Sequence, residues 1–366
     1  MLYLGIDQHG KQLTVNLRNE EGSAILKRQV STEWKRVREF FDRLREEARE
    51  DGGFAAIVEV CGFNDWLLKM LAEYDCREIV LVQPDKTSKR KTDRRDAGKL
   101  SELLWVNRQR LLAGQKAQGM RRVLPPSAED AEARQMTSLR KRLAEERTKT
   151  INKIHHILQK HNLQQECPTK GKKTKTARRW MAAMTLPSVD RLEMDQLLAQ
   201  WDLWDEQLEA IEKRIDESQA KHPVARIVRS MPGAGTYSSL ALASRIGPID
   251  RFPRPSSLAN YWGLAPGCRN SGDVTNRSGS ITKEGSAIAR HILGQMVLHV
   301  LRDDKYVKKW YMRIKKRRGS KIARVAVMRR LATVLWHMVK YDQPYMFGGP
   351  PQVKASREAY EAFRDV

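Results

Sequence analysis

Apolar and polar residues follow one kind of pattern in the first third of the chain and another kind afterwards. In the first part, short apolar runs with strand character are separated by turn residues or by longer stretches with helical spacing. Three consecutive strands at the start predict a meander, and the later alternation predicts a mixed sheet covered by helices. The predicted strands are 2–7, 11–18, 24–31, 54–60 and 78–82, and the predicted helices are 32–50, 64–74 and about 93–106.

A second region begins after Pro125-Pro126, where Ser127 and Asp130 form a capping signal for a polar helix that is expected to reach about His161. A second long helix follows, in which apolar residues recur at alternating intervals of three and four, as in a coiled coil. These residues are Leu197, Trp201, Trp204, Leu208, Ile211 and Ile215. We expect the two helices to form a hairpin or to pair between subunits, with the tryptophans in the packed seam rather than stacked on bases.

Short helices and loops rich in Gly, Pro and Ser follow from Ile227 onward. Strong helical spacing returns at 285–300, 304–316 and 320–341, which predicts an all-α region after the α/β region. The segment after Asp342 is rich in Gly and Pro and is typical of a loosely ordered tail. The expected domains are a sheet domain at 1–124, a long-helix, coiled-coil linker at 125–224, a helical C-terminal domain at 225–342 and a tail at 343–366.

The chain is strongly basic, with 68 Lys and Arg against 44 Asp and Glu among 366 residues and a formal net charge of +24. Such an excess favours a polyanionic partner, and nucleic acid is the commonest polyanion in a cell. No apolar run approaches the roughly 20 residues that span a bilayer, and no signal-peptide pattern is present, so we expect a soluble, cytoplasmic protein with no membrane partner. The four cysteines form no Cys-x-x-Cys pair, which argues against a zinc site or a disulfide framework.

Four acidic residues stand out against this basic background. Asp7 lies in the first predicted strand, Glu59 closes the fourth, and Asp93 and Asp96 are three residues apart at the start of a predicted helix. If the two strands pair in parallel at the middle of the sheet, Asp7 and Glu59 adjoin, and helical spacing lets the other two acids point at the same edge. Carboxylates suit Mg²⁺ or Mn²⁺, and two such ions promote phosphodiester chemistry.

Each acid taken alone is better explained by a structural role. Asp7 can cap a hairpin, Glu59 can be a surface acid at a strand end, and Asp93 can cap a helix in which Asp96 pairs with arginines. Taken together and in this order, the four acids favour a metal site.

The acids and their neighbours also carry a family resemblance. Ile6-Asp7, Val58-Glu59 and the segment Lys91-Thr92-Asp93-Arg94-Arg95-Asp96-Ala97 resemble the DEDD tetrad of the RuvC-like transposases of insertion elements, the IS110-type family. The resemblance implies an RNase H-like (RuvC-like) fold for the sheet domain, with Mg²⁺ bound by Asp7, Glu59, Asp93 and Asp96 as catalytic residues. It also implies a prokaryotic, nucleoid-associated protein that forms dimers or tetramers and is guided by a bridge RNA pairing with donor and target DNA.

A second set of motifs resembles the C-terminal domain of the same family. It comprises Tyr261-Trp262-Gly263-Leu264-Ala265-Pro266, Arg269-Asn270-Ser271-Gly272 and Ser280-Ile281-Thr282-Lys283-Glu284-Gly285. The resemblance makes Ser271 the catalytic nucleophile, which would attack a DNA phosphodiester to give a phosphoserine-linked strand, with the metal site supplied by another domain. Members often carry two serines before the glycine, whereas this chain has Asn270-Ser271, and Ser278 and Ser280 lie near enough to be confused with Ser271.

Two further features predict contact with nucleic acid. The segment 230–236 resembles the turn of a helix-hairpin-helix element, whose glycines bring backbone amides to a phosphate, although an ordinary tight turn explains it equally well. Flanking Arg226, Arg229 and Arg245 favour backbone contact. The helices after 304 concentrate basic residues, which should give salt-dependent binding. The predicted contacts are Gly233, Gly235, Arg269, Lys283, Lys315, Lys316, Arg317, Arg318, Lys321 and Arg324.

These features together predict a DNA transposase or recombinase that cuts and rejoins double-stranded donor and target DNA, using Mg²⁺ and a covalent serine intermediate. The enzymatic alternative is a RuvC-like, structure-selective endonuclease in which water attacks and Ser271 is a bystander. The non-enzymatic alternative is a basic nucleic-acid-binding protein whose acids are structural.

Overall fold

A computed structural model describes residues 1–83, 93–268 and 278–347, with the backbone alone at 93–95, 268 and 278. The chain divides into two compact units, Met1–Pro125 and Pro126–Val366. The first unit contains a mixed six-stranded sheet with flanking helices, and the second is mainly helical in its described part. The predicted mixed sheet and the predicted helical C-terminal region are therefore confirmed.

The sheet of the first unit joins strands from both ends of the unit. The strands are β1 (Leu2–Gln8), β2 (Gln12–Arg18), β3 (Ala24–Ser31), β4 (Phe54–Glu59), β5 (Glu78–Val82) and β6 (Arg122–Val123), and the helices are α1 (Trp34–Glu50), α2 (Asp65–Glu73), α3 (Asp93–Val106) and α4 (Arg108–Leu112). The strand order is β3-β2-β1-β4-β5-β6. β1 pairs with β2 antiparallel and with β4 parallel, and β4 pairs with β5 in parallel.

The central strands are apolar without alternation because helices cover both faces of the sheet. Even-numbered residues of β1, such as Leu4 and Ile6, pack in a core with residues of α1 and α2. Tyr3, on the other face, packs with Leu100 and Leu104 of α3. The acid-bearing strands are thus held between two apolar layers.

The second unit begins with a helical hairpin and continues through shorter helices and a two-stranded ribbon. Its helices are α5 (Ala128–Lys160), α6 (Lys175–Ala183), α7 (Ser188–Lys221), α8 (Pro223–Arg229), α9 (Thr236–Ile246), α10 (Pro255–Tyr261), α11 (Ala287–Asp303) and α12 (Lys305–Lys340), and its strands are β7 (Pro266–Cys268) and β8 (Ser278–Ile281). Ser127 caps α5 by accepting a hydrogen bond from the Asp130 amide, as its position in the sequence predicts.

Helices α5 and α7 pack as an antiparallel hairpin within the chain. Ion pairs cross between them from one end to the other, at Arg140–Glu212, Arg147–Asp205 and Lys160–Asp190. Five of the predicted seam residues are buried, and Trp204 is half-buried, with its indole Nε1 donating to Thr150 Oγ1 at 3.2 Å. The tryptophans of the seam therefore serve packing.

The C-terminal region matches the prediction in its helices but departs from it in two respects, because the β7–β8 ribbon interrupts the predicted all-α pattern and the start of the predicted tail is packed. Gly319, with φ of 81°, interrupts α12 at the predicted break between two helices. Residues 343–347 do not form a loose tail, because Tyr345 is buried and its hydroxyl donates to Asp304 Oδ2 at 2.7 Å. The remainder of the predicted tail lies outside the described residues. Across the described ranges, no helix combines the length and apolarity that crossing a membrane requires.

Candidate active site

Asp7 and Glu59 lie on neighbouring strands at one edge of the sheet. The parallel register of β1 and β4 runs to Ile6 and Val58, so the two acids are the next residue on each strand. Odd-numbered residues of both strands pack in the core under α3. Because side chains alternate between the faces of a strand, both carboxylates emerge on the face that α3 covers.

Helix α3 runs antiparallel to β1 on this face. Gly5 lies directly against the helix, since a Cβ at this position would be 2.4 Å from the Ala97 carbonyl oxygen. Tyr3 packs with Leu104, so residue numbers rise along α3 as they fall along β1. The first turn of α3, which carries Asp96, therefore lies towards the carboxyl end of β1.

A purely structural role for Asp96 would require an ion pair with an arginine. Asp96 is half-buried, and its carboxylate forms no hydrogen bond or ion pair with any residue of the described ranges. Pairing with an arginine is thus not seen in that part of the chain. The side chain of Asp93 lies outside the described residues, although its backbone opens α3.

Two polar side chains that sequence analysis missed flank Asp7. His9 Nε2 lies 3.1 Å from Asp7 Oδ2. Thr14 stands opposite Asp7 in the β1–β2 register and is 3 % exposed, and its Oγ1 has no hydrogen-bond partner within the described structure. Since buried hydroxyls are almost always paired, Thr14 is suited to bind a buried water molecule beside Asp7.

The donor atoms at this edge match Mg²⁺ or Mn²⁺ in chemical type, because both ions prefer oxygen ligands. However, no three His, Cys, Asp or Glu side chains in the described part of the chain are grouped so that they could hold a metal ion. Within the described residues, Asp7, Glu59 and Asp96 therefore do not come together as three metal ligands. The residues fit the metal by ligand type and by their shared edge, and Asp93 would have to supply the missing ligand.

A buried polar network joins the same two strand ends on the opposite face of the sheet. Asn64 is 6 % exposed, and its Nδ2 donates to Gln8 Oε1 at 2.8 Å and to the Glu59 carbonyl oxygen at 3.1 Å. Its Oδ1 accepts from the Cys61 amide at 2.6 Å. Gln8 Nε2 donates to the Phe63 carbonyl oxygen at 3.0 Å. The Gln8–Asn64 network thus connects the residue after Asp7 with the segment after Glu59.

The predicted nucleophile Ser271 lies outside the described residues, as does Arg269. The ribbon that flanks this segment in the sequence is described: β7 and β8 pair from Pro266 with Ile281 to Cys268 with Ser278. Ser280 is an exposed residue of β8, and only the backbone of Ser278 is described. Lys283 is exposed at a turn with φ of 57°, where its amide donates to the Gly263 carbonyl oxygen at 3.1 Å.

The predicted helix-hairpin-helix turn joins α8 and α9. Gly233 has φ of 82°, and a Cβ at this position would lie 2.7 Å from the His299 ring. The Gly235 amide already donates to Ser238 Oγ at 2.6 Å, and the Arg229 guanidinium donates to the Ala234 carbonyl oxygen. These contacts hold the turn in shape.

The expectation that Arg245 faces a nucleic-acid backbone is wrong. Arg245 is 8 % exposed and donates to Thr137 Oγ1 at 3.0 Å and to Ser138 Oγ at 3.1 Å, both on α5. Burial lowers the pKa of its guanidinium to about 10. The Arg245 side chain therefore joins α9 to α5 within the second unit.

The basic residues of α12 divide into exposed and packed members. Those around Gly319 are exposed, namely Lys315, Lys316, Arg317, Arg318, Lys321 and Arg324. Arg330 is half-buried and lies over the Trp310 ring with 5.0 Å between the guanidinium carbon and the ring centroid. The exposed set forms a strongly positive segment of the second unit.

Comparison with known proteins gives two family matches and several relatives. Residues 4–163 match the DEDD transposase model of IS110 elements, and residues 225–312 match the family described as Transposase IS116/IS110/IS902 family. The transposase for insertion sequence element IS1111A of Coxiella burnetii is 24 % identical over 310 residues, covering 80 % of this chain and 79 % of the relative. A probable family 20 transposase of Pseudomonas aeruginosa is 28 % identical over 240 residues, covering 63 % of this chain and 69 % of the relative.

Proposed function

The chain belongs to the IS110 family of insertion-sequence transposases, and we propose that it cuts and rejoins DNA strands with a divalent metal ion bound by Asp7, Glu59, Asp93 and Asp96. The observation that carries this proposal is the emergence of Asp7 and Glu59 from neighbouring parallel strands onto the face covered by α3. Two carboxylates on one strand edge repel each other, and a bound cation relieves that repulsion. We further propose that the sheet is a RuvC-like domain.

The four acids would bind Mg²⁺ or Mn²⁺, which stabilises negative charge on the oxygens of a reacting phosphodiester when it is bound. Asp7 and Glu59 would hold their carboxylates on fixed strands, whereas Asp93 and Asp96 would approach on α3. Thr14 would hold a buried water molecule beside Asp7 through its hydroxyl. A site built on a central sheet keeps these groups in place between turnovers.

Ser271 is the proposed nucleophile. Its hydroxyl oxygen would lose its proton and form a bond to the phosphorus while the bond from phosphorus to a sugar oxygen breaks, and the released sugar oxygen would take up a proton to become a hydroxyl. The DNA strand would then be linked to the protein as a phosphoserine ester, which a second DNA hydroxyl can attack to rejoin the strands. Because each phosphate ester bond that breaks is replaced by another, the strands would be rejoined without an added energy source.

The exposed basic residues of α12, together with Arg269, Lys283 and the turn at Gly233, would bind nucleic-acid phosphates, whereas the Gly235 amide is already used by Ser238. The proposed partners are double-stranded donor and target DNA and a bridge RNA that pairs with both, in a dimer or tetramer of the chain. A guide of this kind leaves sequence choice to base pairing, so the protein needs backbone contacts more than base contacts.

Substitution of one proposed metal ligand and of the proposed nucleophile tests the function. We expect Asp7→Asn and Ser271→Ala each to abolish recombination of a donor plasmid, and we expect the control variants Asp42→Asn, on the exposed face of α1, and Ser280→Ala to retain it. Full recombination by Asp7→Asn or by Ser271→Ala would exclude the proposed mechanism.

Trapping of a protein–DNA adduct separates the recombinase from a nuclease that uses water. The proposal requires a covalent adduct in the wild type that is absent from Ser271→Ala. Free 5′-phosphate ends with no adduct would support the RuvC-like endonuclease instead. Sequencing of RNA that copurifies with the protein tests guidance, and a discrete RNA encoded beside the gene is the expected result.

A further inference from the structure

The Gln8–Asn64 network lies where the paired part of the two acid-bearing strands ends. The β1–β4 register closes at Ile6 and Val58, one residue before each acid. Beyond that point, Gln8 and Asn64 join the strand ends through their side-chain amides, which hydrogen-bond to each other at 2.8 Å. Both are buried, at 6 % exposure each, so water does not compete for these bonds.

The network is attached directly to both acids. Gln8 follows Asp7 in the chain, and Asn64 Nδ2 donates to the main-chain carbonyl oxygen of Glu59 itself. The same asparagine accepts from the Cys61 amide, and Gln8 donates to the Phe63 carbonyl oxygen, so the turn after β4 is held at two further points. A shift of either amide would move the backbone of an acid.

We propose that Gln8 and Asn64 are positioning residues that set the separation of the Asp7 and Glu59 carboxylates for a divalent metal ion. The inference rests on the proposed metal site. Metal–oxygen distances tolerate changes of only about 0.2 Å, so a small loosening of the two strand ends is enough to weaken metal binding. The network lies on the opposite face of the sheet and acts through the backbone, without contact to either carboxylate.

The first unit contains a matched control for the loss of a buried asparagine. Asn107 is 1 % exposed, and its side chain also makes three hydrogen bonds, to the carbonyl oxygens of Leu103 and Gln118 and from the Gln118 amide. It lies after the far end of α3 from the acids. Asn64→Ala and Asn107→Ala therefore remove similar contacts from one unit, but only the first loosens the acid-bearing strands.

The test is titration of the full chain with Mn²⁺ alone, with free Mn²⁺ measured by electron paramagnetic resonance. We expect Asn64→Ala and Gln8→Met each to weaken the Asp7-dependent binding by about 10- to 100-fold, as removal of groups that orient metal ligands commonly does. Asn107→Ala should bind as the wild type does. The double variant Gln8→Met/Asn64→Ala should be little weaker than the weaker single variant, because both changes break one network.

The outcomes separate this inference from the proposed function. If Asp7→Asn binds Mn²⁺ as tightly as the wild type, the metal site itself is wrong and the inference falls with it. If Asp7→Asn loses binding while Asn64→Ala and Gln8→Met keep it, or lose only as much as Asn107→Ala, the positioning role alone is overturned. Circular dichroism identifies folded variants, and Gln8→Met decides the question if Asn64→Ala does not fold.

Discussion

Gly5 shows how one residue places the helix that carries two of the proposed metal ligands. A Cβ at this position would lie 2.4 Å from the Ala97 carbonyl oxygen and 2.5 Å from the Ser101 nitrogen. Both are main-chain atoms that cannot rotate away, so a methyl group would push α3 off the sheet. The close approach of α3 to β1 therefore depends on the absence of a side chain at residue 5.

We predict that Gly5→Ala destabilises the first unit by roughly 1–3 kcal/mol, the usual range for overpacking, and weakens Mn²⁺ binding because α3 shifts. Urea unfolding and Mn²⁺ titration measure the two effects. Gly10→Ala is the control, since a Cβ at Gly10 has nothing within 4 Å in the described structure. Equal stability of Gly5→Ala and Gly10→Ala would show that the helix does not pack as described.

At the scale of elements, α12 depends on the residue that precedes and caps it. Asp304 is 2 % exposed, and its Oδ1 accepts from the Tyr306 amide at 2.9 Å and from the Val307 amide at 3.0 Å. Its Oδ2 accepts from the Tyr345 hydroxyl, and burial followed by this hydrogen bond raises the pKa of Tyr345. One carboxylate thus caps the helix and fastens residues 343–347.

We predict that Asp304→Ala lowers the stability of the second unit by roughly 1–3 kcal/mol, from loss of the cap and of the Tyr345 bond. The neighbouring Asp303→Ala should leave stability unchanged, because Asp303 is exposed and its hydrogen bonds go to Arg302. Differential scanning calorimetry compares the two. A similar midpoint for both variants would contradict the assigned cap.

The helices and strands could be predicted from the sequence because their periodicity is local. The side chains that surround the acids could not be predicted in this way. Runs such as 54–60 and the seam of α7 each predict one element from neighbouring residues. The bond between Gln8 and Asn64, and the burial of Thr14 beside Asp7, depend on strand pairing that no local pattern encodes. The expectation for Arg245 is wrong for the same reason, since its partners lie on α5, more than a hundred residues earlier in the chain.

For the whole molecule, the dominant property is its formal net charge of +24. Charged side chains serve different ends in the two units. The first unit places carboxylates at one sheet edge, whereas the second exposes a run of cations around Gly319. Solubility alone does not require so dense a run. If these cations neutralise phosphates, the affinity for nucleic acid must fall as counterions compete.

We therefore predict that Lys315→Glu/Lys316→Glu weakens binding to double-stranded DNA and reduces the slope of log affinity against log salt by about 2, one for each phosphate that is no longer neutralised. The control is Lys35→Glu/Lys69→Glu, which changes the net charge equally but on α1 and α2, on the sheet face away from the acids. Fluorescence anisotropy at several salt concentrations measures both slopes. If the two double variants give the same slope, binding follows net charge alone, and α12 is not the contact surface. A reduced slope confined to the α12 variant instead assigns the phosphate contacts to that helix.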